Sequence, residues 1–209
     1  MKDVRILDLS MGNLRSVQKA FEAVGARAVL IREPEEVAGA DRLVLPGVGA
    51  FGDAMDAIDS RALGGAIREH VARGRPPLGI CLGMQVLFEV GWEGGRRSGL
   101  GVLAGEVRPM PKDLEVDGRR LKVPHMGWNR LRPTPGGRER LAGADSSPWC
   151  YFVHSYHAVP EDRGVVAATT TYGIEFCSAI ARENLVATQF HPEKSQRVGL
   201  DLLAGFLEV

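Results

Sequence analysis

Pro77-Leu78-Gly79-Ile80-Cys81-Leu82-Gly83 is a short apolar run that passes through a cysteine with a glycine two positions to either side. A run of this length and character reads as a buried strand, and the residues after Cys81 continue as a helix, so the cysteine stands on the turn between them. Such a turn is sharp and strained in the manner of a nucleophile elbow, and glycines are required where side chains would collide. The sulfur is pushed toward a cleft at a helix N-terminus, where the dipole and unpaired N–H groups favour thiolate. Cys81 is therefore the candidate nucleophile. Burial as an inert core thiol is the commoner fate of a cysteine, and it is the reading for Cys150 and Cys177.

Working outward from the elbow, Val4-Arg5-Ile6-Leu7, Ala28-Val29-Leu30-Ile31 and Arg42-Leu43-Val44-Leu45 carry the same strand signal. Between them Leu14, Val17, Phe21 and Val24 recur at helical spacing behind Asn13 and stop at Gly25, the region from Asp53 to Val71 reads as helical, and a helix is expected from Leu82 to about Val90. Strands alternating with helices over short connections imply a mostly parallel sheet covered by helices on both faces. From Gly99 to Asn184 the pattern changes to short strand-like runs broken by turn pairs such as Asp117-Gly118 and Glu183-Asn184, which adds antiparallel hairpins. Leu185 to Phe190 then returns as a strand and Ser195 to Leu207 as a helix with Ser195 as its N-cap. The expected fold is α/β, with residues 1–209 forming one domain.

Composition excludes more than it selects. The chain carries 26 Lys plus Arg against 26 Asp plus Glu, so no net field points to nucleic acid or a membrane surface, and Arg96-Arg97 and Arg119-Arg120 read as solvated faces. Three cysteines cannot all pair and lack the density of a secreted disulfide framework, which favours a reducing cytoplasm. The start lacks a secretory apolar stretch and no window reaches membrane-span length, so a soluble protein is expected.

Gln189-Phe190-His191-Pro192-Glu193 follows the last strand, and in extended chain His191 and Glu193 point to the same side. A thiol at its ordinary pKa needs an imidazole to take its proton, and the imidazole needs a carboxylate to hold its tautomer, so Cys81, His191 and Glu193 form a candidate triad. They meet only if the sheet forms as read. His70 reads as part of a surface pair. Two other patterns are weaker. Gly47-Val48-Gly49-Ala50-Phe51-Gly52 matches a dinucleotide fingerprint, but after the third strand and without its acid; a glycine loop of exposed N–H groups serves an oxyanion equally well. Cys150, His154 and His157 match no zinc spacing. No metal and no cofactor are expected.

Gly-Ile-Cys-Leu-Gly-Met-Gln at 79–85 and Gln-Phe-His-Pro-Glu at 189–193 resemble the class I glutamine amidotransferases. Gly12-Asn13-Leu14-Arg15-Ser16-Val17, the 46–52 loop, Pro124-His125-Met126-Gly127-Trp128-Asn129, Tyr151 to Tyr156 and Lys194-Ser195-Gln196 are similar to its branch of imidazole glycerol phosphate synthase glutaminase subunits. The resemblance spans nearly the whole chain. It implies glutamine hydrolysis through a glutamyl thioester on Cys81, with backbone N–H groups of Leu82 and of Gly47, Val48 and Gly49 serving the oxyanion. It implies further that Gln85 and Glu93 hold the α-carbon groups of glutamine, with Gly49, Ser155 and Tyr156 completing the pocket. The implied partner is a (β/α)₈ cyclase subunit, joined as a heterodimer, with Asn13, Met126, Trp128 and Asn129 as interface candidates; half-buried core packing is nearly as good a reading of Trp128. One departure is local: Leu9 and Ser10 follow Asp8 where members often carry an aromatic residue and a glycine. The residues by themselves leave open another amidotransferase acceptor, a cysteine hydrolase or peptidase acting alone, and a binding module with an idle triad.

Overall fold

The computed structural model describes residues 1–141 and 147–209, with backbone alone for 138–140. The first half alternates as expected: β1 (Asp3–Leu7), α1 (Leu14–Ala23), β2 (Arg27–Ile31), α2 (Pro34–Ala38), β3 (Leu43–Gly47), α3 (Phe51–Ser60), α4 (Leu63–Ala72) and β4 (Pro77–Cys81). One helical turn, α5 (Leu82–Gln85), leads into β5 (Phe88–Gly91), β6 (Arg97–Ser98), β7 (Leu103–Pro109), β8 (Glu115–Val116) and β9 (Arg119–Arg120). Then come β10 (His125–Arg130), β11 (Arg132–Pro133), α6 (Pro135–Arg140), β12 (Trp149–His154), β13 (Tyr156–Pro160), β14 (Val166–Tyr172), β15 (Ile174–Arg182), β16 (Leu185–Thr188) and α7 (Gln196–Glu208).

The main sheet runs β2-β1-β3-β4-β16-β15-β13-β7-β5-β6, with β14 and β11 attached along β15. β2, β1, β3, β4 and β16 lie parallel, while β15, β13 and β14 add antiparallel pairs. Side chains alternate across the parallel half, which is what lets helices cover both faces. Val4, Ile6, Val44, Leu78 and Ile80 pack with Val17, Phe21, Leu203 and Phe206 of α1 and α7. Leu7, Leu43 and Leu45 pack with Val37, Ile58, Leu63 and Ile67 of α2, α3 and α4. Each fully buried Leu, Ile or Phe contributes about 1.5–3 kcal/mol.

Two expectations of helix length fail. The 53–71 helix is two helices, because Ala62 takes a left-handed φ of 54°. The chain bends there so that Ile58 and Leu63, on either side of the break, are both fully buried, and Arg61 reaches back to donate to the Asp8 carbonyl (2.7 Å) and Ser10 Oγ (3.1 Å). The helix from Leu82 stops at Gln85, after which Phe88–Gly91 pairs with β7. Both predicted turn pairs form hairpins, with Asp117, Gly118 and Glu183 at positive φ. Among the described residues no helix is long and apolar enough to cross a membrane.

Candidate active site

The C-terminal ends of β3, β4 and β16 lie side by side, where open parallel sheets place their ligand crevices. Gly47 is level with Cys81, and Thr188 with Ile80. Cys81 closes β4 with φ 54° and ψ −107°, a conformation that costs a non-glycine residue about 1–3 kcal/mol and must be imposed by its surroundings. The flanking glycines are what permit it. A Cβ at Gly83 would stand 1.6 Å from the Leu45 carbonyl oxygen, and one at Gly79 would stand 2.9 Å from the Gly83 oxygen and the Met84 nitrogen. The sulfur, 6% exposed as a residue, faces the Val153 carbonyl at 3.8 Å and accepts from Gln189 Nε2 at 3.6 Å. Leu82 begins α5, so its N–H is among those a helix leaves unpaired.

His191 follows β16 on a turn pinned to β12: its N–H donates to the Tyr151 carbonyl (2.9 Å), and Ser195 Oγ donates to the His191 carbonyl (2.7 Å) while accepting from Tyr151 N–H (3.0 Å). Ser195 precedes α7 as expected, but its hydroxyl serves this turn and makes no cap bond. Nδ1 of His191 meets Glu193 Oε1 at 2.8 Å, both side chains being 3% exposed. Nε2 is buried and makes no hydrogen bond of ordinary geometry; the Cys81 thiol nonetheless lies near enough to act on it. Burial opposes protonation of the ring, yet Cys81 and then Glu193, by hydrogen bonding and charge, outweigh it and raise the imidazole pKa to about 10. The structure thus brings the three residues of the candidate triad together, the ring held by Glu193 and subject to the charge of Cys81.

A cleft of about 330 Å³ opens over Cys81, lined by Val48, Gly49, Leu82, Gln85, Glu93, Pro124 and Val153 to Tyr156. Its size suits a small polar metabolite. Gln85 is buried and donates to the Tyr156 carbonyl (3.1 Å) and to Gln189 Oε1 (3.0 Å). Glu93 has one carboxylate oxygen accepting from Phe51 N–H (2.7 Å), the first turn of α3. Gly49 sits at φ 111°, a backbone conformation that residues with side chains rarely adopt. The loop from Asp8 to Asn13 backs this turn: Met11 Cε lies 2.9 Å from where a Gly49 Cβ would be. Ser10, the departure from the usual glycine, keeps a glycine-like φ of 62°.

Gln189 went unassigned in the sequence. It is fully buried and bridges Cys81 to Gln85; the signal available was a polar residue amid the apolar run Leu185 to Phe190. His70 is buried on α4, with Nε2 at 3.4 Å from the Pro76 carbonyl, and so is no surface partner. Cys150 and Cys177 are core residues whose thiols burial pushes up to about 12. His154 is bonded to His125 across 2.9 Å. Met126 and Trp128, 62% and 44% exposed, share the outward face of β10, and Trp149 on β12 is 48% exposed. Asn129 points inward to His125 and the Thr171 carbonyl, and Asn13 caps α1 by accepting from Ser16 N–H, lining a crevice with His191 and Glu193.

Residues 5–208 match the model of the class-I glutamine amidotransferases. The chain is 53% identical over 204 residues to an imidazole glycerol phosphate synthase subunit HisH from Syntrophotalea carbinolica, covering 96% of this chain and 97% of that one. It is 50% identical to the HisH subunit from Geobacter sulfurreducens with both chains covered in full. The solved PurLQS structure from Thermotoga maritima contains a chain that superposes with a TM-score of 0.75 at 15% identity, covering 99% of this chain and 98% of that one, a likeness of fold. The chain belongs to the class-I glutamine amidotransferases and, within them, to the family of HisH subunits of imidazole glycerol phosphate synthase.

Proposed function

We propose that residues 1–209 act as one glutamine amidotransferase domain that hydrolyses glutamine and passes the ammonia to a cyclase subunit making imidazole glycerol phosphate in histidine biosynthesis. The observation that carries the chemistry is the buried His191 ring, clamped by Glu193 at 2.8 Å and turned on a cysteine at a strained elbow. Cys81 passes its thiol proton to His191 Nε2 as Sγ attacks the side-chain carboxamide carbon of glutamine, and the carbonyl electrons move onto oxygen. The N–H of Leu82 and one from Gly47, Val48 or Gly49 stabilise that oxyanion, each donor contributing about 3 kcal/mol. His191 gives its Nε2 proton to the departing nitrogen, the C–N bond breaks, and ammonia leaves a glutamyl thioester on Cys81. Neutral His191 then takes a proton from water as it attacks the thioester; the C–S bond breaks and glutamate is released. Gln85, Ser155, Tyr156 and the outer oxygen of Glu93 orient the α-carbon groups.

Ammonia released into neutral water becomes ammonium, which has no lone pair for a synthase to use, so the product requires a dry path. That requirement supports a docked acceptor, a (β/α)₈ barrel in a heterodimer, seated against the exposed face bearing Met126 and Trp128 with Asn13 at its margin. The exposed aromatic is the type of residue that anchors interfaces. The deciding experiment uses the complex with its cyclase: Cys81→Ala abolishes glutamine-dependent synthesis and leaves synthesis from added ammonium salt intact. Loss of both activities overturns the division of labour.

A further inference from the structure

A chain of hydrogen bonds runs from β10 to the glutamine cleft through two buried histidines. Asn129 Nδ2 lies 3.2 Å from His125 Nε2; His125 Nδ1 lies 2.9 Å from His154 Nε2; His154 Nδ1 lies 2.8 Å from the Tyr156 carbonyl oxygen. That oxygen also accepts from Gln85 Nε2, and Gln85 donates to Gln189, which donates to the Cys81 sulfur.

The direction of every bond follows from the fixed acceptors. The Tyr156 carbonyl accepts only, so His154 carries its proton on Nδ1 and, as a neutral ring, offers Nε2 as an acceptor. His125 must then donate from Nδ1 and accept at Nε2. Asn129 supplies that donor: its Oδ1 accepts from Arg130 N–H (2.8 Å) and its Nδ2 also donates to the Thr171 carbonyl (2.9 Å), which fixes the amide orientation. A proton added to either ring would set two donors face to face. Burial, which pushes His125 down to about 4 and His154 down to about 3, keeps both rings neutral as this pattern demands. Stacking of His125 between Phe152 and Tyr172, with ring centroids 4.9 and 4.0 Å away, holds the plane of its ring.

The geometry points to Asn129, His125 and His154 as positioning residues: a relay of fixed polarity that sets the Tyr156 carbonyl, and with it Gln85 and the glutamine pocket, from the position of β10. This rests on the reading of the cleft as a glutamine site. It also gives β10 two faces with separate tasks, Met126 and Trp128 outward and His125 and Asn129 inward.

Two-bond ¹H–¹⁵N spectra of the full chain labelled at histidine are expected to show both rings neutral with the proton on Nδ1 at neutral pH. Glutaminase kinetics in the complex with cyclase supply the functional arm. His125→Gln preserves an acceptor toward Asn129 and a donor toward His154, so KM for glutamine should stay within about twofold. His125→Leu fills the same space and severs the relay, so KM should rise about five- to tenfold, the worth of one net hydrogen bond, with kcat changed less. A ring found protonated or in the Nε2–H form in the wild-type chain overturns the relay, as does equal KM in the Gln and Leu variants. Absence of any glutamine hydrolysis by wild type overturns the underlying reading of the cleft, while the spectra still decide the relay.

Discussion

Cys81 shows how much of the site is enforced by atoms that never touch a substrate. Its left-handed φ is held because the positions two residues away have no side chain, the Gly83 Cα lying directly under the Leu45 carbonyl. Gly83→Ala is therefore expected to lower stability by more than about 3 kcal/mol or to prevent folding, as read by denaturant unfolding. Glu193 acts on the other partner. Glu193→Gln keeps the size of the side chain and removes the charge that favours imidazolium, so kcat for glutamine hydrolysis should fall by roughly 10²- to 10⁴-fold with KM little changed. The elbow and the His191–Glu193 pair were legible because their constraints are local: glycine spacing about a cysteine, and a carboxylate two residues from a histidine. Gln189 and the His125–His154 pair were not, since a side chain's partner 108 or 29 positions away depends on sheet order.

Elements were legible where one periodicity dominated. The parallel strands and both turn pairs follow the sequence. The segment Leu82 to Val90 misleads because it is apolar at most positions, which leaves helix and strand unresolved by pattern. Pairing of Phe88–Gly91 with β7 decides it, and Gly91 lets the Phe51 ring pack against bare backbone, a Cβ there falling 2.6 Å from the ring. The break at Ala62 is signalled only obliquely, by Gly64-Gly65, a pair that itself falls inside the second helix. At the β10–β12 pair the buried histidines make a prediction at acid pH. An unfolded chain protonates both rings below about 6.5, whereas the folded pair resists until about 4 and about 3. The unfolded state therefore binds more protons in that window. Stability present above pH 6.5 should fall by a few kcal/mol as pH drops toward 4, measured by thermal unfolding against pH, and His125→Gln should flatten that slope. His191 works in the opposite sense: its raised pKa adds stability that is complete below 6.5 and is lost as pH climbs toward about 10.

For the whole molecule, equal numbers of acidic and basic residues leave recognition to shape and apolar surface. Trp128→Ala is expected to weaken binding to the cyclase by about tenfold or more, with far-UV spectrum and unstimulated glutamine turnover unchanged; titration of one protein into the other checks it. The sheet order has a further consequence for synthesis on the ribosome. β4, which carries the nucleophile, is flanked on one side by β3, its neighbour in translation, and on the other by β16, among the last segments to emerge. Until β16 arrives, β4 presents an open hydrogen-bonding edge to other chains, the period in which nascent polypeptides are captured by neighbours or chaperones. The same order separates the site residues: His191 and Glu193 follow β16 and are translated after the segments of β5 to β15 that wall the cleft, so Cys81 meets its partners last.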